Sequence, residues 1–284
     1  MVCNVADGQL KTHLTIKRNC MKVTRVVSFI AWMRTYMKYS ILSDVGQKRT
    51  NNQDHADTYE NQQGERIFLL ADGMGGHKAG NVASKLAVED LGKLWEETTF
   101  TNQTSSDEIQ SWLRTQIRAE NENISNLGKL DDYKGMGTTL EAVVIQKHQI
   151  ICAHVGDSRT QIIKNGELIR ITRDHSLVQE LVDAGEITPD EAEKHPNKNI
   201  ITRSLGQPTE VEIDILSVEI DADDVIIMSS DGLTNMVAPH DIIDIVQKDI
   251  ELSSQTEALV ELANAHGGLD NITVILVKFD KGDL

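Results

Sequence analysis

The chain has 284 residues, 39% of them apolar and only 4% aromatic, which suits one large domain with a core of Val, Ile, Leu, Ala and Met. Its formal charge of −16 is uneven: residues 1–37 hold six Lys and Arg against one acid, leaving −21 for the remainder. So acidic a body argues against nucleic acid or an anionic membrane face as partner, and the three scattered cysteines, Cys3, Cys20 and Cys152, point to a reducing cytoplasm.

Residues 1–36 differ from the rest in their basic balance and lack of periodicity. The apolar run from Val26 to Met33 is far shorter than the ~20 residues that a spanning helix needs, so no membrane insertion is expected. A short basic surface anchor is the sharper reading of this segment. The plainer one treats 1–36 as an N-terminal extension that is disordered or a start-site artefact. Met37 sits directly before the first strand-like run.

Tyr39 to Val45 reads as a first strand, and Gly46 to Asp54 as a polar turn. Arg66 to Ala71 is nearly all apolar, hence a strand buried on both faces. Asn61-Gln62-Gln63-Gly64 before it suits a hairpin turn. Apolar residues at helical spacing predict helices over Gly80–Trp95 and Asp107–Leu127, the second capped by Ser105 or Ser106. Four short strands follow, over Thr138–Ile145, Ile150–Val155, Thr160–Lys164 and Glu167–Thr172, with Asn165-Gly166 as a type I′ hairpin turn. Residues 174–206 are polar and helical in short pieces, a surface subdomain beside the active face. Strands resume at Glu212–Ile220 and Val225–Ser229, then helices at Pro239–Gln247 and Ser254–Ala265, then a last strand at Ile272–Lys278. This order predicts an α+β fold: a four-layer αββα sandwich, two antiparallel sheets flanked by helix pairs.

Four aspartates sit where an apolar strand meets a glycine or a sharp turn. Asp72 follows Ile67 to Ala71, Asp157 follows Ile150 to Gly156, Asp231 follows Val225 to Ser230, and Asp270 precedes Asn271 to Val274. Asp54 ends the turn Asn51-Asn52-Gln53-Asp54. Any one alone is better explained by a turn or a helix cap. Together, brought to one rim, they repel and require cations. An all-oxygen donor set favours Mg²⁺ or Mn²⁺ over Zn²⁺. Two such ions about 3.5–4 Å apart form the two-metal hydrolase arrangement, whose bridging water becomes the nucleophile.

The motifs Arg49-x-x-Asn52-Gln53-Asp54, Ala71-Asp72-Gly73-Met74-Gly75-Gly76-His77, Gly135-Met136-Gly137-Thr138-Thr139, Val155-Gly156-Asp157-Ser158-Arg159, Ser230-Asp231-Gly232-Leu233 and Asp270-Asn271-Ile272-Thr273 occur in this order. The set resembles that of the metal-dependent PP2C-type protein serine/threonine phosphatases, nearest to the bacterial branch that is encoded with a membrane-bound Ser/Thr kinase. The resemblance spans residues 38–279 and implies one phosphatase domain, with 174–206 as its flap. It implies that Asp72 bridges two core ions and that the Gly73 carbonyl binds the first. Asp231 and Asp270 would hold the second, and Asp157 with Asp231 a third. Asp54 would orient a metal-bound water, and Arg49 would grip the substrate phosphate. The implied reaction is direct attack of a metal-bound hydroxide on phosphoserine or phosphothreonine of proteins, a cognate kinase among them, by a monomer. Met74 stands where eukaryotic members carry a histidine proposed as general acid, so His77 is the candidate here, with a metal-bound water as the alternative. Gln53 likewise replaces an acid, so a direct ligand is not expected there.

Gly73-x-Gly75-Gly76 fits neither nucleotide-loop pattern, and Asp221-Ala222-Asp223-Asp224 lacks the glycine and glutamate of an EF-hand. Two further readings share the fold: a catalytically inactive module that binds phosphoproteins, and a phosphatase of anti-sigma antagonists.

Overall fold

The computed structural model describes residues 37–76, 79–146 and 148–279, and a short hairpin pairing Val5–Ala6 with Gln9–Leu10. The chain divides into two compact units, Met1–Tyr36 and Met37–Leu284. Apart from that hairpin, the disorder, the surface anchor and the start-site artefact considered for 1–36 fall outside the described residues, as does His77.

In the larger unit, strands β1 (Lys38–Asp44), β2 (Asp54–Glu60) and β3 (Arg66–Met74) lead into helices α1 (Ala79–Glu96) and α2 (Ser106–Leu127). A strand block follows: β4 (Gly137–Thr138), β5 (Leu140–Gln146), β6 (Gln149–Val155), β7 (Arg159–Lys164) and β8 (Glu167–Arg170). Short helices α3 (Leu177–Asp183) and α4 (Pro189–Glu193) lie in the 174–206 segment. The chain ends with β9 (Asp214–Glu219), β10 (Val225–Ser229), α5 (Asp231–Thr234), α6 (Pro239–Val246), α7 (Leu252–Ala265) and β11 (Ile272–Lys278).

One sheet runs β8-β7-β10-β11-β1 and the other β9-β6-β5-β3-β2, and every pairing is antiparallel. Strand alternation divides the apolar residues among three layers of core. Phe68 and Leu70 of β3 meet Ile226, Met228, Ile275 and Val277 between the sheets. Ile67, Leu69 and Ala71 face the other way, onto Ala83, Ala87, Leu91 and Trp95 of α1 and Leu113 and Ile117 of α2. Val274 and Leu276 of β11 face Ile242 of α6 and Leu259 and Ala263 of α7. This is the expected αββα order of layers. Ser105 caps α2 by accepting the Glu108 N–H, and Thr188 and Glu191 form a capping box at α4.

Two local expectations are corrected. The strand expected over Thr138–Ile145 is broken at Thr139, because that residue turns its N–H and hydroxyl onto the backbone of Asp72 instead of continuing the ladder. The polar turn expected to run as far as Asp54 stops short of it. Asp54 opens β2, an edge strand paired along its length with β3.

Candidate active site

The pairing of the strands brings the carboxylates to one end of the sandwich. Asp54 lies opposite Asp72 in the β2–β3 ladder. Ser229, at the end of β10, is paired with Arg159 on one side and Val274 on the other. This brings Asp157, Asp231 and Asp270 together from segments far apart in the chain. Arg49, Asp72, Gly73, Asp157, Asp231 and Asp270 line one cleft of about 410 Å³. Asp54 lies buried behind them, and His77 falls outside the described residues.

Backbone contacts hold the carboxylates in place. The Asp72 N–H donates to Thr139 Oγ1 at 2.9 Å, and the Asp72 carbonyl accepts from Thr138 Oγ1 and the Thr139 N–H, each at 2.9 Å. Asn271 pins the loop between β1 and β2 at three points: its Oδ1 accepts the Gln53 N–H, and its Nδ2 donates to the carbonyls of Val45 and Asn51. Gly73 packs on the first turn of α1, where a Cβ would come within 2.2 Å of the Gly80 carbonyl oxygen. Helix packing therefore requires glycine there, independently of any use of its carbonyl.

Asp54 Oδ2 accepts from Ser230 Oγ and Thr273 Oγ1, each at 2.7 Å. Asp231 Oδ2 accepts from Asn235 Nδ2 at 2.9 Å. The other oxygens, Asp54 Oδ1, Asp157 Oδ1 and Asp231 Oδ1, are buried without a hydrogen-bond partner. Burial pushes Asp54 up to about 6 against its two hydroxyl donors, with the charges of Asp231 and Asp270 adding to the rise. Asp157 is pushed up to about 7, first by burial and then by Asp231 and Asp174, with Arg159 opposing. Asp231 rises to about 6 through burial and Asp270. Asp72 is raised well above the usual carboxylate range, first by burial and then by the charges of Asp54, Asp231, Asp157 and Asp270.

Such a group must hold protons or cations. Among the described residues, no three His, Cys, Asp or Glu side chains already close to the spacing of a finished metal cage. The carboxylates ring a cleft instead. The residues nevertheless fit hard divalent ions, because three buried carboxylate oxygens lack a donor and every candidate ligand is oxygen. Arg49 stands at the mouth with its side chain about half exposed, Nη2 donating to Asp270 Oδ2 at 2.7 Å. Gln53 also lines the cleft, and its carbonyl accepts the Gly73 N–H. A second groove, of about 740 Å³, runs under the 174–206 segment and shares Asp157 and Asp231 with the first.

The sequence reading did not single out Thr138, Thr139, Ser230, Asn235, Asn271 or Thr273 for these roles. All of them but Asn235 lie inside the motifs quoted above, and that was the available signal.

The protein phosphatase 2C family model matches residues 46–265. A protein phosphatase, PhpP, of Streptococcus pneumoniae is 50% identical over 87% of this chain and 99% of its own length. A serine/threonine phosphatase, Stp, of Listeria welshimeri is 43% identical over 83% of this chain and 93% of its own. The solved structure of the S. agalactiae serine/threonine phosphatase superposes with a TM-score of 0.84 at 50% identity, covering 86% of this chain and 100% of that one. The PstP catalytic domain, solved in complex with two manganese ions, gives a TM-score of 0.73 at 36% identity, covering 85% and 97%.

Proposed function

The chain belongs to the protein phosphatase 2C family, and from that premise we propose that it removes phosphate from serine and threonine of phosphoproteins, a cognate Ser/Thr kinase among them, in the cytoplasm. The observation that carries the reading is the convergence of Asp54, Asp72, Asp157, Asp231 and Asp270, three with an unpartnered buried oxygen, beside the half-exposed guanidinium of Arg49.

Asp72, the Gly73 carbonyl, Asp231 and Asp270 would hold two ions, Mn²⁺ or Mg²⁺, and Asp157 with Asp231 a third. The bound pair supplies charge neutralisation and a water that is nucleophilic near neutral pH. Arg49 presents forked N–H donors at the cleft mouth, which suits two oxygens of a phosphate monoester. Asp54, whose Oδ2 is fixed by Ser230 and Thr273, keeps Oδ1 free to accept a proton or orient water. His77, three residues beyond Met74, is proposed to protonate the leaving serine or threonine oxygen. No Ser or Cys is among the described residues that line the cleft, which favours direct in-line attack on phosphorus over a covalent enzyme intermediate.

Hydrolysis of p-nitrophenyl phosphate with Mn²⁺, with chelator, and by Asp231→Ala tests the reading. Activity should need the ion and disappear in the variant. Metal-independent turnover, an active Asp231→Ala enzyme or a phosphoenzyme trapped by acid quench would overturn it. The inactive phosphoprotein-binding module is not favoured, since the relatives are named as phosphatases and the carboxylates and Arg49 are present.

A further inference from the structure

His175 stands where three backbone segments meet. Its N–H donates to the Gly156 carbonyl at 2.6 Å, and its ring Nδ1 accepts the Gly156 N–H at 3.1 Å. Its own carbonyl accepts the Thr202 N–H at 2.8 Å. Gly156 immediately precedes Asp157, while His175 and Thr202 lie at the two roots of the 174–206 segment. A bridge between Ser176 and Ile201, and a bond from the Leu177 N–H to the Ile200 carbonyl, continue the pairing of the roots. One buried histidine thus ties both ends of the flap to the turn that carries Asp157.

The surroundings fix the state of this ring. With Nδ1 accepting from an amide, the proton of the neutral ring falls on Nε2, which faces Asp214 Oδ2 at 3.2 Å and has Arg203 Nη1 beside it at 3.4 Å. The His154 ring lies 4.5 Å away, itself hydrogen-bonded to Glu141 and, through Nε2, to the Arg173 carbonyl at 2.8 Å. His154 and Glu141 are fully buried. Burial and the neighbouring His154 push His175 down to about 4, so its Nδ1 lone pair is available at neutral pH. The Gly156 turn has little freedom of its own: its φ is +118°, and a Cβ there would meet the Thr139 side chain at 2.5 Å. The phosphatase chemistry makes no direct use of these buried groups.

We propose that His175 is a positioning residue that acts through Gly156, so that the seating of the flap and the aim of the Asp157 carboxylate change together. The proposal rests on the reading of Asp157 as a cation ligand. Mn²⁺ held at Asp157 should stabilise the flap roots, and loss of the Nδ1 acceptor should loosen both places at once.

The test uses the full chain, with hydrogen exchange read by mass spectrometry and Mn²⁺ binding by calorimetry. His175→Asn places Oδ1 near the Nδ1 position and should keep the Gly156 bond, whereas His175→Gln reaches only the Nε2 position. Exchange at 156–158 and at 200–203 should stay within about twofold of the parent for Asn, and rise about tenfold at both stretches for Gln. Mn²⁺ binding should weaken several-fold for Gln alone. In the unaltered chain, Mn²⁺ should slow exchange at the His175 and Thr202 amides. Equal behaviour of the two variants, or flap roots indifferent to Mn²⁺ that calorimetry shows to be bound, would overturn the proposal. If Gln fails to fold, the response of the unaltered chain decides. If no Mn²⁺ binds at all, the reading of the site as a metal centre fails, and the Asn and Gln exchange contrast alone decides the role of His175.

Discussion

Nη2 of Arg49 lies 2.7 Å from Oδ2 of Asp270, so the residue assigned to the phosphate and one assigned to a metal neutralise each other across the mouth of the cleft. Their side chains are 51% and 35% exposed, and a pair so open to water contributes at most about 1 kcal/mol to stability. Removing the guanidinium should therefore cost function without costing the fold. Arg49→Ala should lower kcat/KM on a phosphothreonine peptide about 100-fold, and Arg49→Lys, which keeps the charge and loses the fork, about tenfold. Thermal melts of both should stay within about 2 °C of the parent. A large loss of stability with activity intact would place Arg49 in the scaffold instead.

The raised carboxyls make ion binding and proton binding compete. Asp54 and Asp231 are pushed up to about 6 and Asp157 to about 7, from 3.8. In chelator, the folded chain holds protons at these sites that the unfolded chain has already released. Their contribution to stability is present below about pH 4 and is lost as pH rises through 6 to 7. Mn²⁺ must displace those protons at acid pH but not at pH 7.5. The rise in melting temperature on adding Mn²⁺ should therefore be several degrees larger at pH 7.5 than at pH 5.5. An equal rise at both pH values would contradict the assignment.

The legibility of the fold followed burial. β3, β10 and β11 are apolar runs buried on both sides, and their place in the chain can be read directly from sequence. β2, Asp-His-Ala-Asp-Thr-Tyr-Glu, carries little such signal, because it is an edge strand whose position is set by pairing with β3. The site divides in the same way. Asp72, Asp157, Asp231 and Asp270 stand out because a charge ends or begins an apolar run. The groups that aim them do not stand out. Ser230 and Thr273 reach Asp54 across 176 and 219 residues of sequence, and each is an ordinary hydroxyl until folding places it. His175 read as one polar residue in a polar stretch, since its link to Gly156 exists only once the flap roots are paired.

Glu120 offers a test of stability far from the chemistry. It lies 6% exposed on α2, where Asn123 Nδ2 donates to its two oxygens over long distances of 3.3 and 3.4 Å. Burial pushes it from 4.5 to about 7, with Asn123 opposing and Asp90 adding. The folded state thus prefers the protonated acid, and the cost of the buried charge appears as pH rises from about 4.5 through 7. Glu120→Gln should raise stability by about 2 kcal/mol at pH 8 and change it little at pH 4.5. Denaturant melts at the two pH values measure this. A variant less stable at pH 8 would mean that the carboxylate is well solvated or paired.

Thr139 links the two halves of the site. Its hydroxyl accepts the Asp72 N–H at 2.9 Å and lies 2.8 Å from Ser158 Oγ, beside Asp157. Both threonine and serine side chains are fully buried, so the exchange of one hydroxyl for a methyl strands the Asp72 amide and the Ser158 hydroxyl together. Thr139→Val keeps the shape and should cost about 1–3 kcal/mol. Its effect on turnover should be larger than that loss of stability explains, because the Asp72 backbone sets where the carboxylate points. At a temperature where the variant is fully folded, kcat should fall about tenfold or more, since small displacements of a reacting group are costly. Thr139→Ser keeps the hydroxyl and loses only the methyl that packs against Gly156. It should recover most of kcat while remaining slightly less stable than the parent. If valine and serine behave alike, the methyl packing, and not the hydrogen bond to Asp72, is what this position supplies.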